Sequence, residues 1–194
     1  MKKFFIAAIC AVLACAEANA IEIGLIGGYQ GVTVTTNDSV PSYSASSATN
    51  IGALLLFSVF PFVQVRTGVI SKNRKVNVTA LGVSGTVQDQ ILDFPIDLQV
   101  GLPLGLYVYG GVLYSSTQST SCSSGLGAGC FSSSKTPDDL PVNVGVGFNL
   151  LDIALFKLGI EAEYQMGTKN LDTVGSGTTK ANSLGGNIVA KFGF

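Results

Sequence analysis

The chain has 194 residues, 11 basic and 12 acidic side chains, a formal net charge of −1 and no histidine. Only 12% of it is charged and its mean hydropathy is +0.46, which is oily beside the roughly 25% charge usual in soluble domains. This balance offers no clustered basic face for nucleic acid, and the missing histidine excludes Ser-His-Asp hydrolysis and histidine-based zinc sites.

The chain begins with Lys2 and Lys3, an apolar stretch over residues 4–13, and Ala18-Asn19-Ala20. Basic start, apolar run and small-residue site predict a signal peptide over 1–20, cut after Ala20. The run is short for a helix spanning a bilayer. A lipoprotein cut before Cys15 is disfavoured, because Leu13 stands where a smaller residue is usual. Residues 21–194 then form one domain. No segment of it offers about 18 uninterrupted apolar residues. The best, 51–63, is broken by Gly52, Ser58 and Pro61. A closed β-barrel remains as the way to place so oily a chain in lipid, because only helices and barrels satisfy their own backbone hydrogen bonds there.

Period-two alternation predicts strands over 22–34, 49–59, 62–71, 89–100, 104–114, 140–150, 155–166 and 184–194. The connections alternate in length. Phe60-Pro61, Gly101-Leu102-Pro103 and Leu151-Asp152-Ile153-Ala154 are tight; 35–48, 72–88, 115–139 and 167–183 are long and rich in Ser, Thr, Gly and Asn. Within 72–88, residues 76–83 have an alternative reading as an extension of the hairpin. This pattern predicts an all-β fold, an eight-stranded antiparallel up-and-down transmembrane β-barrel with both termini at the short-turn end.

One face of these strands carries Ile23, Leu25, Ile51, Leu55, Val65, Ile96, Val108, Val144 and Ile160; the other carries Glu22, Gln30, Arg66, Asp97, Asn143, Glu161 and Lys191. Alternation does not say which face points inward, since a soluble barrel or sandwich shows the same pattern reversed. Three observations favour polar-in. The polar face holds many glycines, which weaken a strand facing water but fit a crowded lumen. It has fewer Lys and Glu than a soluble surface. The apolar face sorts its aromatics by depth, with Phe57, Phe148, Phe156, Phe192 and Phe194 near the short turns and Tyr29, Tyr114 and Tyr164 near the long loops, the two belts of a membrane barrel.

Phe94-Pro-Ile-Asp-Leu-Gln-Val-Gly-Leu-Pro-Leu-Gly, Tyr109-Gly-Gly-Val, Val144-Gly-Val-Gly-Phe, Gly159-Ile-Glu-Ala-Glu-Tyr and the terminal Phe194 resemble the porin-like outer-membrane β-barrel family and its small eight-stranded OmpA/OmpX-type relatives. The resemblance implies a bacterial outer-membrane location. It also implies that Phe194 is the C-terminal signal read by barrel-assembly machinery, and that a proline is tolerated at position 95. Physics alone predicts a local bulge there, because Pro95 has no N–H for the ladder.

Candidate chemistry is confined to three places. Glu161 and Glu163, two apart on one strand, point the same way about 7 Å apart. They read either as a carboxylate pair for acid–base or cation work, or as part of a lumenal charge network with Arg66, Asp93, Asp97, Lys157 and Lys191. The network is favoured, because a lumen this narrow is filled by side chains and buried charges there must be paired or neutralised. Cys122 and Cys130, in the Ser-rich third loop, predict a disulfide in an oxidising exterior, contributing about 2–3 kcal/mol for so short a loop. Tyr107, Tyr109, Ile26, Leu54, Leu56 and Val189 also point inward by parity, as lumen packing or as a slot for a hydrophobic molecule, with packing favoured.

The expectation is therefore a non-enzymatic, monomeric outer-membrane barrel with a plugged polar lumen, long extracellular loops able to meet a ligand, and a structural or surface-interaction role. No cofactor, metal or nucleic-acid partner is implied; the partners are outer-membrane lipid and the assembly machinery. The alternative is a narrow porin or a barrel transporting hydrophobic solutes.

Overall fold

Side chains along a strand point alternately to opposite faces, so a strand with one apolar and one polar face must place each against a matching medium. The structure, a computed structural model, describes residues 21–36, 42–80, 83–123, 138–153, 155–168 and 179–193. The expected signal peptide, Cys130 and Phe194 lie outside them. Eight strands follow in order: β1 (Ile21–Thr36), β2 (Ser42–Phe60), β3 (Val63–Ala80), β4 (Val83–Gly101), β5 (Leu106–Cys122), β6 (Val142–Ile153), β7 (Phe156–Met166) and β8 (Thr179–Gly193). Each pairs antiparallel with the next, and β8 returns to β1 in a long register from Glu22↔Gly193 to Thr36↔Thr179. The sheet is a closed barrel, and closure removes the edge strands.

Burial runs opposite to that of a soluble protein. Ile51 is 71% and Val144 56% exposed, while Arg66 and Asp93 are 2% and 1% exposed. The polar face is therefore inside. Outside, an apolar belt runs from Phe57, Phe148, Phe156 and Phe192 at the short-turn end to Tyr29, Tyr114 and Tyr164 at the other. It spans about ten residues per strand, the length a tilted strand needs to cross the hydrocarbon.

The strands do not stop at the belt. Of residues 72–88, expected as a loop, 72–80 and 83–88 lie in a ladder that runs from Lys72↔Ile91 to Ala80↔Val83, which is the hairpin-extension alternative. β2 begins at Ser42, β5 continues to Cys122 and β8 begins at Thr179, each beyond its expected end. β5 pairs with β6 only up to Val112↔Val142, with one further bridge at Ser115↔Asp139, yet stays on β4 as far as Val87↔Cys122. Strands β2 to β5 thus project past the belt. The outer face of this projection is rich in Ser, Thr, Asn and Gln, a loop-like composition, while its inner face carries Lys72, Arg74, Val76, Asp89 and Ile91, and its ladder bonds are made.

Pro95 produces no bulge. The β3–β4 ladder lapses between Thr67↔Ile96 and Ile70↔Asp93 and resumes in the same register, while Pro95↔Leu113 stays paired on the β5 side. The register shift in the β4–β5 ladder falls at Gln90/Ile91 instead. A missing donor is absorbed by losing ladder bonds on one side.

If residues 72–80 form a ladder, their backbone amides are protected from hydrogen exchange in the folded, detergent-bound chain, by orders of magnitude over an open loop. Exchange at the rate of an unstructured peptide across this segment, measured by NMR or mass spectrometry, would contradict the extended hairpin.

Candidate functional site

The interior is built by inward positions at a spacing of two. On β7 these are Lys157, Gly159, Glu161, Glu163 and Gln165, and the four polar ones each reach another wall. Glu161 is the most heavily engaged. Arg66, on β3 at the opposite side of the ring, clamps it with both terminal guanidinium nitrogens, Nη1 to Oε1 at 3.0 Å and Nη2 to Oε2 at 3.1 Å. Tyr107 and Tyr109 of β5 donate their hydroxyls to the same two oxygens, at 2.9 and 3.2 Å. The guanidinium carbon lies 4.2 Å from the centre of the Tyr109 ring, a cation–π contact. Four donors on one carboxylate, two of them charge-assisted, are what a buried anion requires.

The other expected residues take separate partners. Asp97, beside Arg66 in the β3–β4 register, approaches Arg66 Nε at 3.9 Å. Asp93 pairs with Lys72 at 2.7 Å and accepts the Ser115 hydroxyl at 2.6 Å. Glu163 is held by amides, accepting from Gln165 at 2.8 Å and Asn187 at 3.0 Å. Lys157 meets Glu22 at 2.6 Å. Lys191 is buried with its ammonium 3.9 Å from the Tyr107 ring centre, and no carboxylate among the described residues lies within ion-pair distance of it. Glu161 and Glu163 therefore have different partners.

Sequence reasoning missed Lys72 and Arg74, because 72–88 was expected as a loop. Lys72 crosses the ring to Gln165 at 2.6 Å, and Arg74 pairs with Asp89 at 2.7 Å. The available signal was parity: Arg66, Ile70, Lys72 and Arg74 fall on one face of an uninterrupted β3. Asn50 and Asn187 add a further link between β2 and β8 at 3.0 Å.

Apolar residues share this interior. Ile26, Leu54, Leu56, Ile70 and Val189 form a buried cluster against β1, β2, β3 and β8, packed as a core. The tyrosines need space on the neighbouring strand, and β6 supplies it: Tyr107 stands opposite Gly147 and Tyr109 opposite Gly145. A Cβ at either glycine would meet the facing tyrosine ring at less than van der Waals separation. Above this layer, a cavity of about 50 Å³ is lined by polar residues, among them Gln30, Lys72, Asp93 and Gln165, and by apolar ones such as Val32 and Ile91, space for a few waters.

A closed eight-stranded barrel with an apolar outer belt and a charged, hydrogen-bonded interior defines a membrane-spanning barrel of the small outer-membrane type. Among solved structures the chain is similar to the outer membrane protein OprG from Pseudomonas aeruginosa, at 18% identity over 91% of this chain and 97% of that one, with a TM-score of 0.50. Others are AlkL in lipid bilayers (15%, covering 88% and 90%, TM-score 0.49) and the N-terminal β-barrel domain of Pseudomonas aeruginosa OprF (14%, covering 91% and 98%, TM-score 0.46). No protein-family model matches the chain, and no curated protein matches it by sequence. At these identities the likeness concerns the fold, which is that of small bacterial outer-membrane barrels. The apolar belt fits a wall of lipid around that fold.

Replacing Arg66 by alanine leaves Glu161 and Asp97 buried without their cation. The expected cost is about 3–5 kcal/mol, read as a lower urea midpoint for unfolding in detergent, with the fold retained. The double variant Arg66→Met/Glu161→Gln loses less than the single one, because no uncompensated charge remains at Glu161. An unchanged midpoint for Arg66→Ala would remove the ion pair from any account of stability.

Proposed function

We propose that this chain is a non-enzymatic outer-membrane barrel whose interior is closed to solutes, and whose role is to stabilise the envelope and present loops at the tyrosine end to a partner outside the cell. One observation carries the reading: the Arg66–Glu161 clamp, with Tyr107 and Tyr109 on the same carboxylate, joins opposite walls where a pore would have to run. The Lys72–Gln165 link crosses the lumen a second time, nearer the outer end. An enzymatic role is disfavoured because the chain has no histidine and its most heavily engaged buried acid, Glu161, is saturated by donors. Among the described residues no cluster of acids, histidines or cysteines has the arrangement of a metal site.

The reading includes further proposals. The barrel works as a monomer, since within the apolar belt closure leaves no strand edge to pair. Phe194 serves as the assembly signal. Cys122 ends β5 at the outer tip of the projection and bonds with Cys130, bracing the loop that follows.

In a planar bilayer the wild-type chain is expected to give no resolved current steps, while Arg66→Ala/Tyr109→Ala, which removes three of the four donors to Glu161 and one ring, opens measurable conductance. Steps from the wild-type chain would favour the transport alternative and reject a closed interior. For the disulfide, alkylation without reductant should leave the mass of the mature chain unchanged. A gain of two alkyl groups would mean free thiols.

A further inference from the structure

Three hairpin turns close the phenylalanine end: after Phe60, after Gly101 and after Ile153. A turn bathed in water is normally built from Gly, Pro, Asn, Asp and Ser; here the two prolines are flanked by large apolar residues. These three read Phe60-Pro-Phe62, Leu102-Pro-Leu104 and Ile153-Ala-Leu155. Phe62, Leu104 and Leu155 point away from the barrel, 72%, 88% and 67% exposed. Across residues 59–63, 101–106 and 150–156 the one ionisable side chain is Asp152, which stands opposite Lys157 in the β6–β7 register.

Leu104 adds a second kind of observation. Its φ is 65°, a left-handed conformation favoured by Gly and Asn and uncommon for other residues. Turn geometry would be served better by either. A leucine there combines an unfavourable backbone conformation with an apolar side chain that is almost wholly outside the barrel.

The occupant follows from the arrangement. Exposed apolar patches of this extent mark interaction surfaces. A protein partner would match a patch on one side, but these residues recur at every short turn around the ring. The fourth quarter, where β1 starts beside the end of β8, carries exposed Ile21 and Phe192. The ring is continuous with the lower edge of the apolar belt, through Val59 into Phe57, Leu106 into Val108, and Phe156 beside Phe192 with ring centres 5.2 Å apart. We propose that the three turn apices are sunk into the phospholipid leaflet on their own side of the membrane, with Phe62, Leu104 and Leu155 among the glycerol and upper acyl segments. The short-turn end is then a lipid-embedded foot. This rests on the membrane-barrel reading and extends it to residues beyond the belt.

The chain contains no tryptophan, so Leu104→Trp and Phe62→Trp each introduce a single indole reporter. Val144→Trp reports the belt and Gln118→Trp the outer projection. In vesicles of phosphatidylcholine brominated near the glycerol end of the acyl chain, the two turn reporters should emit to the blue, lose most of their fluorescence to bromine and resist iodide; Gln118→Trp should do the reverse. Turn reporters that emit to the red and are quenched by iodide, while Val144→Trp is quenched by lipid, would overturn the foot and leave the barrel standing. The same iodide access in pure vesicles, but shielding in native outer-membrane fragments, would overturn it in favour of a protein partner. A Val144→Trp reporter untouched by brominated lipid would overturn the membrane reading, and the foot with it.

Discussion

The structure depends on keeping one ionised carboxylate inside a low-dielectric shell. Removing Glu161 from water costs several kcal/mol, and the cost is offset only with a full set of well-placed donors. Meeting that demand dictates much of the interior. Arg66 must come from the far wall so that its planar fork reaches both oxygens, which is the geometry guanidinium offers and ammonium does not. Tyr107 and Tyr109 must bring hydroxyls from a third wall, and their rings then fill the volume that the strut leaves open.

Around this strut the lumen divides into two kinds of packing. The apolar cluster of Ile26, Leu54, Leu56, Ile70 and Val189 behaves as an ordinary core. The β7 side is a ladder of polar groups, with Lys157, Glu161, Glu163 and Gln165 each bonded to another strand. Because lipid sits outside, burial within the membrane comes from side chains meeting across a narrow interior, and specificity of register comes from which polar groups find each other there.

Much of this was legible in the residues, for a definable reason. Where lipid lies on one side and a polar lumen on the other, alternation is sharp; the order of all eight strands, the inward set from Glu22 to Lys191 and the two aromatic belts follow from parity. Past Ser71 the medium becomes water, Asn73, Lys75 and Asn77 face outward, and the apolar contrast that marks a strand disappears although the ladder continues. That is why 72–88 reads as a loop and why Lys72 and Arg74 were missed. The pairing of individual charges was not legible either. Parity says that Glu163 and Lys191 point inward, but not that one is held by amides and the other rests on a tyrosine ring. Such choices depend on heights around a tilted barrel, which sequence spacing does not encode.

The match of Tyr107 with Gly147 and of Tyr109 with Gly145 ties neighbouring strands by volume. Neither member of a pair can drift alone: bulk gained on β6 displaces a ring that Glu161 needs, and a ring lost from β5 leaves a hole beside a buried acid. Among relatives of this chain, the two positions of each pair should therefore change together, large for small across the β5–β6 seam. Descent would then carry a record of the lumen's filling that no single sequence displays.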